Sequence, residues 1–218
     1  MIDLQVSAQS LEPLFNPKSV AILGASAEPS RIGGMPLRYM LQYGFNGAIY
    51  PVNPNHDEIQ GLKAYAKIGD LGQSVDVAIL AVPARIAVEV AQECADSGAK
   101  TLCAFTSGFS EAGKDGIVLQ ARLKEIAEKS GMRILGPNCL GYFNARARYY
   151  PTFSTSITHG EPKLGTVGMV SQSGAFGSHC FVLGRERGLG FTYLATTGNE
   201  VDVDVADCIA YLAYHDET

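Results

Sequence analysis

Two short stretches carry residues suited to holding a phosphoryl group. In VAILGASAEPSRIGG (Val20 to Gly34) an apolar run meets Gly24, and the small residues Ala25, Ser26 and Ala27 follow. Small residues let a ligand approach the backbone, and the Ser26 hydroxyl adds a donor. A helix starting near Gly33-Gly34 would turn free N–H groups towards an anion, with Arg31 as a charge partner just before it. In GMVSQSGAFGSHC (Gly168 to Cys180), Ser171, Gln172, Ser173 and Gly174 stand between a strand pattern and a helix pattern, a second cradle of the same physical kind. A nucleophile elbow would need glycine two residues before Ser173, where Ser171 stands, so the spacing speaks against an esterase. Either stretch alone also suits an ordinary strand-to-helix turn.

The glycine spacing separates the possible nucleotides. A nicotinamide fingerprint would place glycines two and five positions after Gly24, where this chain has Ser26 and Pro29. It would also place an acid about 20 residues further on to hold the ribose. Here the second strand pattern ends Val52-Asn53-Pro54-Asn55, and the first acid is Asp57. Asn53 can donate and accept hydrogen bonds, and Lys63 adds positive charge nearby. A 3′-phosphorylated ribose would be repelled by an acid and is tolerated by this strand end, which favours coenzyme A over NAD; NADP is disfavoured by the glycine pattern.

Other strand ends bring similar chemistry. Val82 and Pro83 close one, with Arg85 beyond; Thr106, Ser107 and Gly108 close the next; Gly136, Pro137, Asn138 and Cys139 follow a third. In open parallel sheets ligands sit at these carboxyl ends, so the loops would converge on one crevice. Cys139 has no His or acid paired with it in sequence and reads as a buried structural thiol. Glu200, Asp202 and Asp204, after Gly198-Asn199, suit helix N-terminal charge at least as well as a chemical role. The histidines His56, His159, His179 and His215 lack metal spacing and are assigned neither a metal nor a catalytic role.

The elements that must position these residues alternate as strand and helix, the pattern of a parallel sheet covered by helices. Strands are predicted at Ser19–Leu23, Gly47–Val52, Val75–Val82, Thr101–Phe105 and Arg133–Leu135. One helix offers Ala87, Val90, Ala91 and Cys94 on a face and stops at Gly98 as a left-handed cap. Another, from Gly116 to Lys129, offers Leu119, Leu123 and Ile126. Residues 1–144 then form a first domain and 145–163, with two prolines and RARYY, an interdomain linker. A second α/β unit opens at 164 with a strand at Gly165–Val170 and a helix presenting Phe176, Cys180 and Leu183. A strand near Phe191–Ala195 follows, then a helix with Val205, Cys208, Ile209 and Leu212 in register. Two strands and two helices are too few for a doubly wound domain, so this unit, 164–218, is expected to be incomplete in itself.

Composition narrows the classes further. With 218 residues, 46% apolar and 18% charged, the chain is an ordinary globular mixture, and a net charge of −5 disfavours a nucleic-acid partner. Five cysteines without a Cys-x-x-Cys pair fit a reducing, cytoplasmic setting; no stretch reads as a signal peptide or a membrane span.

With these residues in hand, the chain resembles the coenzyme A-binding portion of the NDP-forming acyl-CoA synthetases, which include the succinyl-CoA synthetase α subunit and the ADP-forming acetyl-CoA synthetases. LFNPKSVAILGAS, YPVNPN, GLKAY, AVPA, GPNCLG and VSQSGAFG…TTGNE occur in the family's order from about Leu14 onwards. The resemblance implies a Rossmann-like coenzyme A-binding domain followed by the start of a flavodoxin-like one. It implies a pyrophosphate against Gly24, Ala25, Ser26 and the residues leading to Gly33. Asn53, Pro54 and Lys63 fall at the adenosine end. Val82, Pro83, Thr106, Ser107 and Gly108 fall along the pantetheine, and Asn138-Cys139 near the thioester. Ser171, Gln172, Ser173 and Gly174 fall where phosphate binds to attack the acyl-CoA. Gly198-Asn199-Glu200 replaces the Gly-Gly-Asp of succinyl-type members and looks more like the acetyl/acyl branch. The family's phosphorylated histidine and its ATP-grasp domain or subunit, with ATP or ADP and Mg, are expected outside this segment. No catalytic residue is therefore assigned here, and a homo-oligomer stays open. Two other classes stay open as well: a coenzyme A-responsive or nucleotide-sensing regulatory module, such as part of a protein acyltransferase, and an NAD(P)-dependent redox protein.

Overall fold

A computed structural model of the chain describes residues 9–214. A short helix α1 (Glu12–Phe15) leads into strand β1 (Ser19–Leu23) and helix α2 (Met35–Tyr43). Strand β2 (Ala48–Val52), a small hairpin of β3 (Glu58–Ile59) and β4 (Leu62–Lys63), and strand β5 (Val77–Leu80) come next. They are followed by α3 (Ala84–Asp96), β6 (Thr101–Ala104), α4 (Lys114–Ser130) and β7 (Arg133–Leu135). The chain continues through β8 (Tyr142–Asn144), β9 (Val167–Ser171), α5 (Gly174–Glu186), β10 (Phe191–Thr196) and α6 (Val205–Ala213). Among the described residues, no helix is long and apolar enough to cross a membrane.

The first sheet is all parallel, in the order β2-β1-β5-β6-β7, the Rossmann-like arrangement expected. β1, β5 and β6 are almost entirely buried because helices cover both faces, which is why they appear in sequence as unbroken apolar runs. The predicted strands are there, and the observed pairing of β2, β5 and β6 stops one or two residues short of their apolar runs. α3 buries Ala87, Val88, Ala91 and Cys94; Val88 takes the place expected for Val90, which is half-buried. Gly98, one residue past the cap Ser97, adopts φ +75 and closes the helix as expected.

The second sheet has the order β8-β10-β9, with β9 parallel and β8 antiparallel to β10. β8, which sequence placed in the first unit, therefore pairs with the second. The face expected for α5 is corrected: Phe176 is 64% exposed and Leu183 37%, while Gly177, Phe181 and Gly184 face the sheet. The helix lies so near the strands that a Cβ on Gly184 would come within 2.8 Å of the Phe191 ring. Large apolar residues cannot fit on that face and are turned outward. On α6, Cys208 and Leu212 are buried as expected, but Ile209 is 53% exposed.

The 145–163 segment reads as a linker and proves to be packed. Tyr149, Tyr150 and Ile157 are fully buried, and the hydroxyls of Tyr39 and Tyr43 on α2 donate to the carbonyls of Ser154 (3.0 Å) and Ile157 (2.7 Å). Its aromatic residues supply what its prolines and hydroxyl residues concealed. One apolar core runs from α1 and the first sheet into Tyr142, Tyr149, Tyr193 and Tyr211.

Arg133 at the start of β7 ties the two units at the surface. Its Nε meets Asp202 at 2.9 Å, an Nη meets Asp207 at 2.8 Å, and the other Nη donates to Ser10. Asp202 also accepts the Ile134 N–H at 2.7 Å. All three charged side chains are only about a fifth exposed, so removing the cation leaves two poorly hydrated carboxylates side by side. Arg133→Met is expected to lower unfolding free energy by about 2–3 kcal/mol; a urea midpoint within error of the wild type would contradict this.

Candidate functional site

The loop after β1 is held in place from below. The N–H groups of Gly24 and Ala25 both reach the Val52 carbonyl, at 3.0 and 3.3 Å, across the parallel pair β1–β2. Asn53 Nδ2 donates to the Ala25 carbonyl (2.8 Å), and Gln60 Nε2 to the carbonyls of Ser26 (2.9 Å) and Gly34 (3.1 Å). Gly24 sits at φ +83, and a Cβ on Gly33 would lie 2.1 Å from the Gly24 carbonyl oxygen. Both positions thus demand glycine, for conformation in one case and for close approach in the other.

This arrangement moves the expected anion cradle along the loop. Since the Gly24 and Ala25 N–H groups are spent on Val52, the N–H groups without a partner among the described residues are those of Ala27, Ile32 and Gly33. These residues line a cavity of about 750 Å³ together with Ser26, Arg31, Asn53 and His56. Ser26 Oγ accepts from the Glu28 N–H (3.1 Å) and keeps its own proton for a ligand. The Glu28 carboxylate, on the same wall, accepts from Ser30 Oγ at 2.9 Å. Pro54 and Lys63 are not on this wall; the Lys63 ammonium lies over the Tyr65 ring, 4.8 Å from its centre. His56, to which sequence assigned no role, does line it.

A second cavity of about 790 Å³ opens beside the first, the two sharing Ile32 and Ala81. Here the carboxyl ends of β5, β6 and β7 meet those of β9 and β10. Val82, Pro83, Thr106, Ser107, Asn138 and Cys139 come from the first unit; Gln172, Ser173, Gly174, Ala175, Gly198 and Asn199 come from the second. Gly108 and Ser171, also expected at the site, are not on its wall. Ser171 Oγ donates to the Ser173 carbonyl at 2.9 Å, shaping the turn instead of facing the cavity. Thr106 Oγ1 likewise donates to the Val82 carbonyl (2.7 Å), joining two strand ends.

Ser173 is the N-cap of α5, accepting the Phe176 N–H at 3.3 Å. The Gly174 and Ala175 N–H groups have no partner among the described residues and line the cavity, so a helix N-terminus is aimed into it. Gln172 is oriented by Glu200, which accepts from Gln172 Nε2 (3.2 Å) and from Thr197 Oγ1 (2.7 Å). Of the three acids read as helix-terminal charge, Asp204 caps α6 through the Asp207 N–H (2.8 Å); Asp202 binds Arg133, and Glu200 holds Gln172. Cys139 is 2% exposed, its Sγ 3.8 Å from that of Cys103. Burial pushes the Cys103 thiol well above its ordinary value. Among the described residues no group of three or more His, Cys, Asp or Glu is placed to hold a metal; His215 lies outside them.

Asn199 joins the two units at the cavity rim. Its Nδ2 faces Gln120 Oε1 (2.9 Å), Ser110 Oγ and the Glu111 carboxylate, while its Oδ1 accepts from Asn138 Nδ2 (3.3 Å). Glu111 in turn accepts the N–H groups of Gly108 and Phe109. Burial alone would raise the Glu111 pKa, but the hydrogen bonds from Asn199, Gly108 and Phe109 outweigh it and hold the carboxyl below the usual range. Phe153 and Glu111 lie outside the quoted motifs, and Ile32 and Leu140 lie within them without being singled out; only the fold assembles the four.

Comparison with known proteins gives a matching picture. A family model described as a CoA binding domain matches residues 18–145, and one described as a succinyl-CoA ligase like flavodoxin domain matches 164–218. The α subunit of an ADP-forming acetate–CoA ligase II from Pyrococcus furiosus is 38% identical over 93% of this chain and 43% of its own length. A prokaryotic trans-feruloyl-CoA synthase is 38% identical over 100% of this chain and 31% of its own. The solved structure of a dinucleotide-forming acetyl-coenzyme A synthetase 1 from Ca. Korarchaeum cryptofilum, in complex with phosphate and ADP, superposes with a TM-score of 0.89. It is 39% identical, over 95% of this chain and 44% of that one. The chain spans less than half the length of these relatives.

The folded Glu111 pKa lies below the unfolded one, so its contribution to stability is present above the ordinary carboxylate value and is lost as pH falls through the folded value. In urea titrations the wild type should exceed Glu111→Gln in stability at pH 7, and the gap should narrow by pH 3. A gap that widens on acidification would show that the carboxylate is not the stabilised form.

Proposed function

The chain belongs to the CoA-binding-domain family, and from that premise we propose that it is the coenzyme A-holding portion of an ADP-forming acyl-CoA synthetase. One observation carries this reading: two anion-receptive backbone turns, at 27–33 and at 173–175, line adjoining cavities that share Ile32 and Ala81. A ligand with phosphates at one end and a reacting group near a second phosphate at the other has the chemistry for that pair.

In this proposal the adenosine diphosphate part lies against Ala27, Ile32 and Gly33, with Arg31, Asn53 and His56 offering charge and hydrogen bonds. Gly24 and Ala25 line the same wall with their N–H groups spent on Val52, and the Ser26 hydroxyl donates to the ligand. The pantetheine passes Ala81 to Val82, Pro83, Thr106 and Ser107, and its sulfur ends near Asn138 and Cys139. Inorganic phosphate sits on the Gly174 and Ala175 N–H groups, with the Ser173 hydroxyl and the Gln172 amide beside it. A phosphate oxygen then attacks the thioester carbonyl carbon, the carbon–sulfur bond breaks, and coenzyme A leaves as its thiolate, giving acyl phosphate. The α5 N-terminus stabilises the added negative charge. Later transfer of the phosphoryl group to ADP, through a histidine and an ATP-grasp part with magnesium, falls in this proposal to other residues than these. The relatives' names span acetate and ferulate, so family membership leaves the acyl group open.

Calorimetric titration of the chain with coenzyme A, dephospho-coenzyme A and NADH tests the reading. Coenzyme A should bind tightest and NADH weakest; a preference for NADH would reject the assignment. Gly33→Ala forces its methyl into the Gly24 carbonyl, and should weaken coenzyme A binding by about tenfold or more, the scale of about 1.4 kcal/mol.

A further inference from the structure

The proposed reaction leaves a pair of neighbouring thiols without a chemical role. Resting on the coenzyme A path through the larger cavity, we propose that Cys139 is a modification site: its sulfur exchanges with the disulfide form of coenzyme A, and Cys103 resolves the adduct into an internal disulfide.

Cys139 lines the cavity where the pantetheine sulfur would end, although only 2% of the residue is exposed. Cys103, on β6, is fully buried beside it, and the two Sγ atoms are 3.8 Å apart. The turn after β7 sets this contact. Its Asn138 N–H reaches the Thr106 carbonyl at 2.9 Å, and Cys139 Sγ faces the Ala104 carbonyl at 3.5 Å. At Gly136, φ +104, a Cβ would come within 3.2 Å of Cys139 Sγ and 2.6 Å of the Ala104 carbonyl oxygen. Glycine there lets the thiol pack close to β6. A disulfide holds its sulfurs about 2.0 Å apart, so this pair must close by about 1.8 Å.

Burial orders the two steps. No acidic or basic side chain lines the cavity among the described residues, so Cys139 lacks the paired base of a hydrolytic cysteine. Disulfide exchange needs only a thiolate and a disulfide sulfur within its reach. The Cys139 thiolate attacks one sulfur of the oxidised ligand, whose sulfur–sulfur bond breaks. One coenzyme A leaves as its thiolate and takes up a proton in place of the one Cys139 gave up. Burial holds Cys103 protonated and away from dissolved oxidants, so it reacts second, on the Cys139 sulfur of the adduct. The second coenzyme A leaves, and the Cys103 proton ends on its sulfur. Two cysteine thiols are thereby oxidised while one disulfide is reduced to two coenzyme A thiols. Each step reverses, so the state of the pair follows the ratio of coenzyme A disulfide to the square of reduced coenzyme A.

The test incubates the reduced 218-residue chain with coenzyme A disulfide, in a Cys180→Ser background that removes the half-buried thiol of α5. Intact mass, disulfide-mapped peptides and released coenzyme A thiol are followed in time. An adduct of one coenzyme A on Cys139 should appear first and give way to a Cys103–Cys139 disulfide, with a second coenzyme A thiol released. Cys103→Ala should stop at the adduct, and Cys139→Ala should form neither product. Circular dichroism melts check that each variant folds, and peptide mapping of the parent chain decides the question if one does not. Oxidised glutathione, which lacks the adenosine diphosphate part that the first cavity would hold, should react at least about tenfold more slowly. Suppose calorimetry shows reduced coenzyme A bound; then an unchanged mass, a bond on another cysteine such as Cys208, or equal rates with the two disulfides would overturn the inference alone. Failure of reduced coenzyme A to bind would remove the underlying reading and this one together.

Discussion

Two buried hydrogen bonds at the end of a four-residue helix decide where the second sheet stands. Tyr142 donates its hydroxyl to the Leu14 carbonyl at 2.9 Å, and Asn144 its amide to the Phe15 carbonyl at 3.1 Å. Both donors lie on β8, the strand that pairs with β10, and both acceptors lie on α1, which packs beneath the first sheet. A helix end buried without such partners would leave carbonyls unsatisfied, at a cost of about 1–3 kcal/mol each. Tyr149, 2.9 Å from the Tyr142 hydroxyl, and Phe15, stacked on Tyr211 at 4.6 Å, extend the junction into a dry aromatic block. With Arg133 and Asn199, this block holds the two units so that the cavity between the sheets has walls from both.

From that junction the polar rim follows. The loop after β7 passes from the first sheet to β8, and along it Asn199 N–H reaches the Pro137 carbonyl (2.9 Å) and Val201 N–H the Gly136 carbonyl (2.9 Å). These backbone bonds bring the Asn199 side chain to Glu111 and Asn138, and the Gly198 N–H to the Gln172 carbonyl (3.0 Å). A continuous hydrogen-bonded path thus runs from the α5 N-terminus to the Gly108–Phe109 turn. Such a frame places backbone donors rigidly, as a site that acts through electrostatics and position requires.

The two anion-receptive turns also show how candidate binding groups share residues with structure. Several donors that sequence offers to a ligand are spent on the protein: Gly24 and Ala25 on Val52, Thr106 on Val82, Ser171 on Ser173. Their work is to hold the neighbouring donors still, so the groups left for a ligand are displaced by one to several residues from the motif's most recognisable positions. Where Gly33 packs on the Gly24 carbonyl, the motif's glycine serves the loop's closeness and not the ligand's.

Much was legible in the chain alone. Apolar runs of strand length, helical spacing and Gly98 at a helix end are local patterns with local causes, and the parallel first sheet, its order of elements and the two turn motifs followed from them. The prolines and hydroxyl residues of 145–163 announce a connecting loop, but the burial of Tyr149, Tyr150 and Ile157 within it depends on surfaces distant in sequence and left no local signal. The α5 face was misread because periodicity ranks side chains by size, whereas close packing on a sheet selects Gly177 and Gly184. His56 and Phe153 carry no spacing that marks them. Sequence by itself determined the elements and their carboxyl-end loops, since those rest on backbone preference and period. Which loops face one another, which donors stay free and which side chains wall the cavity were decided only in the tertiary structure, because they depend on distances between segments that no local pattern encodes.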